Sequence, residues 1–390
     1  MRFLCVNRTT QASIYGQDYA LKPLDPKIEN IEDILVTDNT SAAELLERHS
    51  DFLFEVSLEF KNNLRFPRLA NRLEDIHSGD KVLIMRNGGI GDHITLLPAL
   101  NVFRKQFPPD CRIWLATQKE KQPLFSSNPN MDRLLAMPLR LPELLEANCL
   151  IDFSSRRDWY DLESLPMTDA YLNFLKIDFK KITDKTPRLY WPGTSSAGFS
   201  ALMQKIRDTQ NNSKPLVLLN WKASNRLRDM SPQKFIFLAK QFKDVFFLVA
   251  QSGHLQTETA QIIQSYSDNL YDATPWMKSL EDYMAAIAHC EAVVSTDTAA
   301  GHLAEALGKP NLILYGPTRD RLWIKYYKKT LALRAEYIGK TCKSPCGLTK
   351  DTSSGCPEAV LLNSPYSPCL LSISDEKIVA GFKDLLDICS

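Results

Sequence analysis

Two short stretches hold residue types that could do chemistry. The first is "RNGGIGDHITLLPAL", where Gly88, Gly89, Gly91, Asp92 and His93 lie between an apolar run and a helical pattern. A helix N-terminus favours a carboxylate's charged form by about 0.3–1 kcal/mol, more when it is part-buried. Asp92 is therefore a candidate general base for a hydroxyl, with glycines that let another molecule approach the backbone. Its commoner role would be a helix cap; for His93 that would be a surface or internally satisfied histidine. The loop lacks the G-x-G-x-x-G spacing of a dinucleotide site. The next strand ends at Thr117 and Gln118, with no carboxylate for a ribose. Asp92 would also repel a pyrophosphate, so a nicotinamide cofactor and an oxidoreductase reading are disfavoured.

The second stretch is "VVSTDTAAGHLAEALGKPNLILYGPT". Asp297, Thr298, Ala299, Ala300, Gly301 and His302 join a strand to a helix. Small residues at a helix start let an anion close on backbone amides. Thr298 adds a hydroxyl, and His302 lies one helical turn along the same face. A third piece, "NWKASNRLRDMSP", puts Lys222, Arg226 and Arg228 after another strand. They could neutralise a leaving diphosphate, or form an ordinary solvated basic loop.

The elements that must position these residues alternate. "KVLIM", "CRIWLAT", "RLLAMP" and "CLIDFS" read as buried strands with helices between them. "TPRLYWPGTSSAG" reads as a linker, after which the alternation restarts with "PLVLLNW", "VFFLVAQ", "AVVST" and "PNLILYGPT". Ser231 with Pro232, Ser279 with Asp282, and Ser374 read as helix starts. This predicts two doubly wound α/β domains with a ligand cleft between them. The expected boundaries are an accessory α+β region over 1–80, an acceptor domain over 81–190, a donor domain over 191–340, and a tail over 341–390. Residues 1–80 show no chemical motif and read as an accessory domain or a surface for homo-oligomers.

The 390 residues are 44% hydrophobic and 24% charged with net charge +1, ordinary for a globular chain and without a global field for nucleic acid. No run reaches membrane-spanning length and no signal-peptide core is seen, so the cytoplasm is the expected location. Peripheral contact with the inner membrane stays open.

Together these pieces resemble glycosyltransferase family 9, the ADP-heptose:lipopolysaccharide heptosyltransferases, over roughly residues 81–390. The resemblance rests on Asp297 to His302 with its trailing strand, and on the Arg86 to Asp92 loop. It implies the GT-B fold, two Rossmann-like domains facing across a cleft. It implies inverting transfer of a sugar, by expectation heptose, from an ADP-heptose-like nucleotide sugar to a hydroxyl, with no metal required. Asp92 would be the base, Lys222 a donor-phosphate contact, and Thr298 to Gly301 the phosphate-binding helix start. Asp297 would stand by the sugar, and His302 would touch the ligand or hold the loop. The acceptor would be lipopolysaccharide core or another glycan or glycolipid; a protein hydroxyl is the alternative. An inactive nucleotide-sugar-binding scaffold is the alternative of another class. The chain departs from the pattern in its first 80 residues and between Gly253 and Glu258, where the expected G-x-x-E is broken, leaving the base open. Cys342, Cys346, Cys356 and Cys369 form C-x3-C-x9-C-x12-C. Four thiolates could hold structural zinc or iron, and related protein O-heptosyltransferases carry a four-cysteine iron site in this region.

Overall fold

The computed structural model describes residues 1–23, 31–57, 64–154, 164–209, 214–251, 261, 263, 269–348 and 355–389. They fall into two compact units, Met1–Lys185 and Thr186–Ser390.

The first unit opens with β1 (Arg2–Val6), the hairpin β2 (Thr10–Ile14) and β3 (Gln17–Leu21), then β4 (Leu35–Thr37), α1 (Asn39–Arg48) and β5 (Leu53–Glu55). From "FLFEVSLEF" only Leu53–Glu55 is a strand; residues 58–60 lie outside the described residues. Next come β6 (Arg68–Leu69), β7 (Lys81–Met85), α2 (Ile90–Gln106), β8 (Arg112–Gln118), β9 (Arg133–Met137), β10 (Leu139–Arg140), α3 (Leu141–Leu145), β11 (Cys149–Asp152) and α4 (Met167–Phe174). A parallel sheet runs β6-β11-β7-β8-β9. A second, antiparallel sheet runs β10-β4-β1-β5. Two strands thus cross the expected boundary at residue 80. β6 joins the parallel sheet, and β10 leaves the α/β part to pair with β4. The first 80 residues are built into this unit.

The second unit contains α5 (Ala197–Thr209), β12 (Leu216–Asn220), α6 (Pro232–Gln241), β13 (Phe246–Val249), β14 (Leu270–Asp272), α7 (Leu280–His289), β15 (Ala292–Thr296), α8 (Ala299–Ala306), β16 (Asn311–Tyr315) and β17 (Thr330–Arg334). The tail adds α9 (Pro357–Leu361), α10 (Pro368–Leu371) and α11 (Asp375–Cys389). All strands are parallel, in the order β14-β13-β12-β15-β16-β17. This is the 3-2-1-4-5-6 order of a Rossmann sheet. β12, β15 and β16 are buried along their whole length, which explains their unbroken apolar runs.

The helix starts differ in detail from the sequence reading. Ser231 stands before α6 but its side chain makes no cap bond; Pro232 fills the first position. Ser279 accepts from the Asp282 amide at 3.2 Å. The Asp282 carboxylate turns instead to the Lys278 amide at 3.1 Å and the Ser196 amide at 2.7 Å, so the reciprocal half of the box is absent. Ser374 accepts from the Lys377 amide at 3.2 Å. α11 buries Ile378, Phe382 and Leu385, with Val379 and Leu386 partly covered. Phe382 meets Phe242 edge-to-face at 4.7 Å. Burying a ring of that size is worth about 2–3 kcal/mol, so the terminal helix is part of the core.

Candidate functional site

In a doubly wound sheet, ligands sit at the carboxyl ends of strands where the strand order reverses. In the second unit that point lies between β12 and β15. The loops there are the two singled out from sequence: Trp221 to Asp229 after β12, and Asp297 and Thr298 after β15.

Thr298 is the N-cap of α8, and its hydroxyl oxygen accepts from the Ala300 amide at 3.2 Å. The cap uses an oxygen lone pair and leaves the O–H able to donate. The Ala300 amide, however, is taken by this cap. Ala300 and Gly301 are buried beneath the loop and Ala299 is half-buried. A Cβ on Gly301 would come within 2.7 Å of Ile313 Cγ1, so glycine here serves close packing of α8 on β16. Arg228 donates through Nη1 to the Asp297 carbonyl oxygen at 3.0 Å and to Asp297 Oδ2 at 3.3 Å. Lys222 Nζ stands 3.6 Å from Asp229 Oδ2. Burial raises the pKa of Asp229 against the pull of Lys222 and Arg226. Arg226 is exposed on a 3-10 turn capped by Asn225. Three cations thus meet two carboxylates, leaving the loop pair net positive. His302 is buried: Nδ1 bonds the Tyr327 hydroxyl at 2.7 Å and Nε2 lies 3.8 Å from Asp297 Oδ1. That geometry suits a residue that holds the loop.

Sequence reasoning missed several groups here. The side-chain oxygens of Ser295, Thr296, Thr318 and Tyr315, together with Arg228 Nε, are buried without a hydrogen-bond partner. So are Gln251 Nε2 and Asp272 Oδ2, at the ends of β13 and β14. Burial raises the Asp272 pKa, while its other oxygen accepts from the Thr274 amide at 2.9 Å. Orphaned buried polar atoms cost about 1–3 kcal/mol each, so a cluster of them points to a polar ligand. β14 is three residues long and gave no apolar run to read. The stretch Gly253 to Glu258 lies outside the described residues.

In the first unit the order reverses between β7 and β11, and the loop after β7, Arg86 to Gly89, leads into α2, whose first turn holds Asp92. Gly88 has φ 135°, a conformation side chains rarely adopt, and a Cβ there would stand 2.5 Å from Asp92 Oδ2. The group that comes close to this glycine is thus the chain's own aspartate, where the sequence reading expected a ligand. Asp92 Oδ2 accepts from the Gly89 amide at 2.7 Å, capping α2, and Oδ1 accepts from Arg86 Nη2 at 2.7 Å. Arg86, only 1% exposed, also donates to the Tyr171 hydroxyl at 2.8 Å and the Phe153 carbonyl at 3.1 Å. Tyr171 returns a bond to the Asp92 carbonyl at 2.9 Å. Asp92 is 6% exposed. The carboxylate is an internal cap and ion-pair partner with a narrow exposed edge.

His93 is fully buried. Nδ1 donates to the Gly89 carbonyl at 2.8 Å and Nε2 accepts from the Thr117 hydroxyl at 2.7 Å. Burial lowers its pKa to about 4, so the ring is neutral and braces the loop from beneath. It offers nothing to an acceptor. Gly91 lies half-buried in the first turn of α2.

At the cysteine tail, no group of three or more His, Cys, Asp or Glu side chains among the described residues is arranged to hold a metal. The expectation of zinc or iron there therefore finds no support. The thiols do sense one another. Burial raises the Cys342 pKa, and Cys346 and Cys356 add to it. Cys369 is pushed up to about 12 by burial first, then by Cys346. The tail is fastened instead by Glu358, which accepts from the Lys340 and Thr341 amides at 2.9 and 2.7 Å and from the Tyr337 hydroxyl at 3.1 Å.

Two Rossmann-type units, each with a small-residue helix start at its switch point, define a GT-B-class α/β fold. More narrowly, the chain is like glycosyltransferase family 9: residues 193–350 match the model of "Glycosyltransferase family 9 (heptosyltransferase)". It is 44% identical over 61 residues to lipopolysaccharide heptosyltransferase 1 of Salmonella typhimurium. That match spans 16% of this chain and 19% of the relative's length. The solved family 9 glycosyltransferase of Veillonella parvula superposes with TM-score 0.60 at 16% identity, covering 80% of this chain and 98% of that one. ADP-heptose lps heptosyltransferase II of E. coli superposes with TM-score 0.56 at 16% identity, covering 78% and 98%.

Proposed function

We propose that this chain is an inverting glycosyltransferase moving a heptose from ADP-heptose to a hydroxyl of lipopolysaccharide core or another glycan. One observation carries this reading. At the switch point of the second unit a net-positive loop pair adjoins the start of α8, and hydroxyls at the ends of β15 and β16 are buried without partners. That is the chemistry a nucleoside diphosphate needs.

In this reading the second unit binds the donor. The Thr298 hydroxyl and the amides of Ala299 and Gly301 meet the diphosphate, and Lys222, Arg226 and Arg228 stabilise its charge as it leaves. Asp297, oriented by Arg228, stands by the sugar. Asp272 and Gln251 supply polar groups for the nucleoside. The first unit serves the acceptor. Asp92 takes the proton from the attacking hydroxyl through a lone pair that Arg86 and Gly89 do not use, while Arg86 holds it in place. Positioned bases contribute about 10²–10⁴-fold. A glycolipid acceptor would bring the reaction to the cytoplasmic face of the inner membrane. Among the described residues no helix is long and apolar enough to cross a membrane.

A second reading, a nucleotide-sugar binder without transfer, is favoured by one observation: Asp92 is buried with both oxygens engaged. The chain incubated with ADP-heptose and a panel of core oligosaccharides and proteins, read by mass spectrometry, separates the readings. A heptose mass added to an oligosaccharide supports the proposal. Addition to a protein moves the acceptor class. Nucleotide binding with no product leaves the binder.

A further inference from the structure

The sequence gives the first 80 residues no chemical role, yet they hold the glycine loop. Asp38, 1% exposed, is the N-cap of α1. Its Oδ1 accepts from the Thr40 and Ser41 amides at 2.9 and 3.0 Å. Its Oδ2 accepts from Asn87 Nδ2, and the same amide nitrogen donates to the Ser41 hydroxyl oxygen at 2.6 Å. Both N–H groups of Asn87 therefore end on α1. This fixes the orientation of the amide, because turning it over would set a carbonyl oxygen against a carboxylate. The backbone amide of Asn87 is held separately, by the Ser154 hydroxyl at 3.0 Å. Asn87 lies between Arg86, the ion partner of Asp92, and Gly88, whose unusual φ makes room for that carboxylate.

We propose that Asp38 is a positioning residue for the reaction. Through Asn87 it holds the Arg86–Gly88 segment, and so the Arg86–Asp92 pair, in working geometry. The turnover part of this inference rests on the function proposed above; the geometric part stands alone. The physical logic is that a strained loop persists only where its surroundings over-determine it. α1 supplies, from 49 residues upstream, a charge-assisted bond buried from water.

The test uses Asp38→Asn. Asparagine keeps the helix cap, since Asn and Asp are equally good N-caps. It weakens the tie, because the charge is lost and the pair re-forms only if Asn87 turns its amide over, which puts Nδ2 where its Oδ1 is now buried without a partner. The double variant Asp38→Asn/Asn87→Asp restores a donor–acceptor pair with its polarity reversed. Glu47→Ala, on the exposed side of α1, is the control. Amide hydrogen exchange over residues 87–92 and ADP release from ADP-heptose are measured on the full chain. We expect at least tenfold faster loop exchange in Asp38→Asn and at least tenfold slower ADP release with unchanged KM for ADP-heptose. The double variant should recover both, and Glu47→Ala should match wild type. Loop exchange in Asp38→Asn equal to wild type overturns the proposal, as does failure of the double variant to recover it. If wild type itself releases no ADP, the functional reading fails while the exchange data still decide the tie.

Discussion

His93 follows Asp92 in the first turn of α2, and burial makes it structural. Its folded pKa of about 4 lies below the ordinary 6.5, so the fold binds the neutral ring. The unfolded chain takes up a proton below 6.5 that the folded chain refuses until about 4. Stability from this site is therefore complete above pH 6.5 and is lost as pH falls from 6.5 towards 4. The loss is about 3 kcal/mol at about 1.4 kcal/mol per unit. Denaturant unfolding of wild type and His93→Gln at pH 7.5 and 4.5 checks this: the variant should lose less stability over the interval. Equal losses would contradict the assignment. The residue scale also shows what spacing cannot reveal. Glycines before an aspartate were legible as a special backbone; that Gly88 makes room for Asp92 itself was not. Whether a carboxylate faces a ligand or its own amides depends on the φ of one glycine and on Arg86, buried against Tyr171. Those are tertiary facts.

At the scale of elements, the strand–helix alternation was readable because strands buried on both faces must be apolar throughout. β12, β15 and β16 are such strands. β6, β10 and β14, two or three residues each, were not readable, since so short a run carries no period. They nevertheless decide which segments join which sheet. The tie from α1 to Asn87 was hidden for a related reason: its partners are 49 residues apart in sequence. The start of α8 yields an element-scale prediction. Thr298→Ala removes the cap and the hydroxyl together, costing about 1 kcal/mol of stability and roughly tenfold in ADP affinity, about 1.4 kcal/mol. Thr298→Ser should keep both. Calorimetric titration with ADP, paired with a thermal melt, distinguishes them. An alanine variant that binds ADP like wild type would remove Thr298 from the donor site.

At the scale of the whole molecule, the chain is two compact units, and its melt need not be a single transition. ADP that binds only the folded second unit adds about 2.7 kcal/mol at a hundredfold excess over Kd. For a unit of this size that is a rise of roughly 5–10 °C. Scanning calorimetry with ADP, GDP and UDP should show the rise with ADP, and no shift with any of the three would count against a donor site. The most direct test of the account as a whole is ADP release from ADP-heptose by wild type and Asp92→Asn, with ADP affinity measured in parallel. Release should be at least a hundredfold slower in the variant, with ADP affinity unchanged. No release by wild type, or an Asp92→Asn variant as fast as wild type, would contradict it.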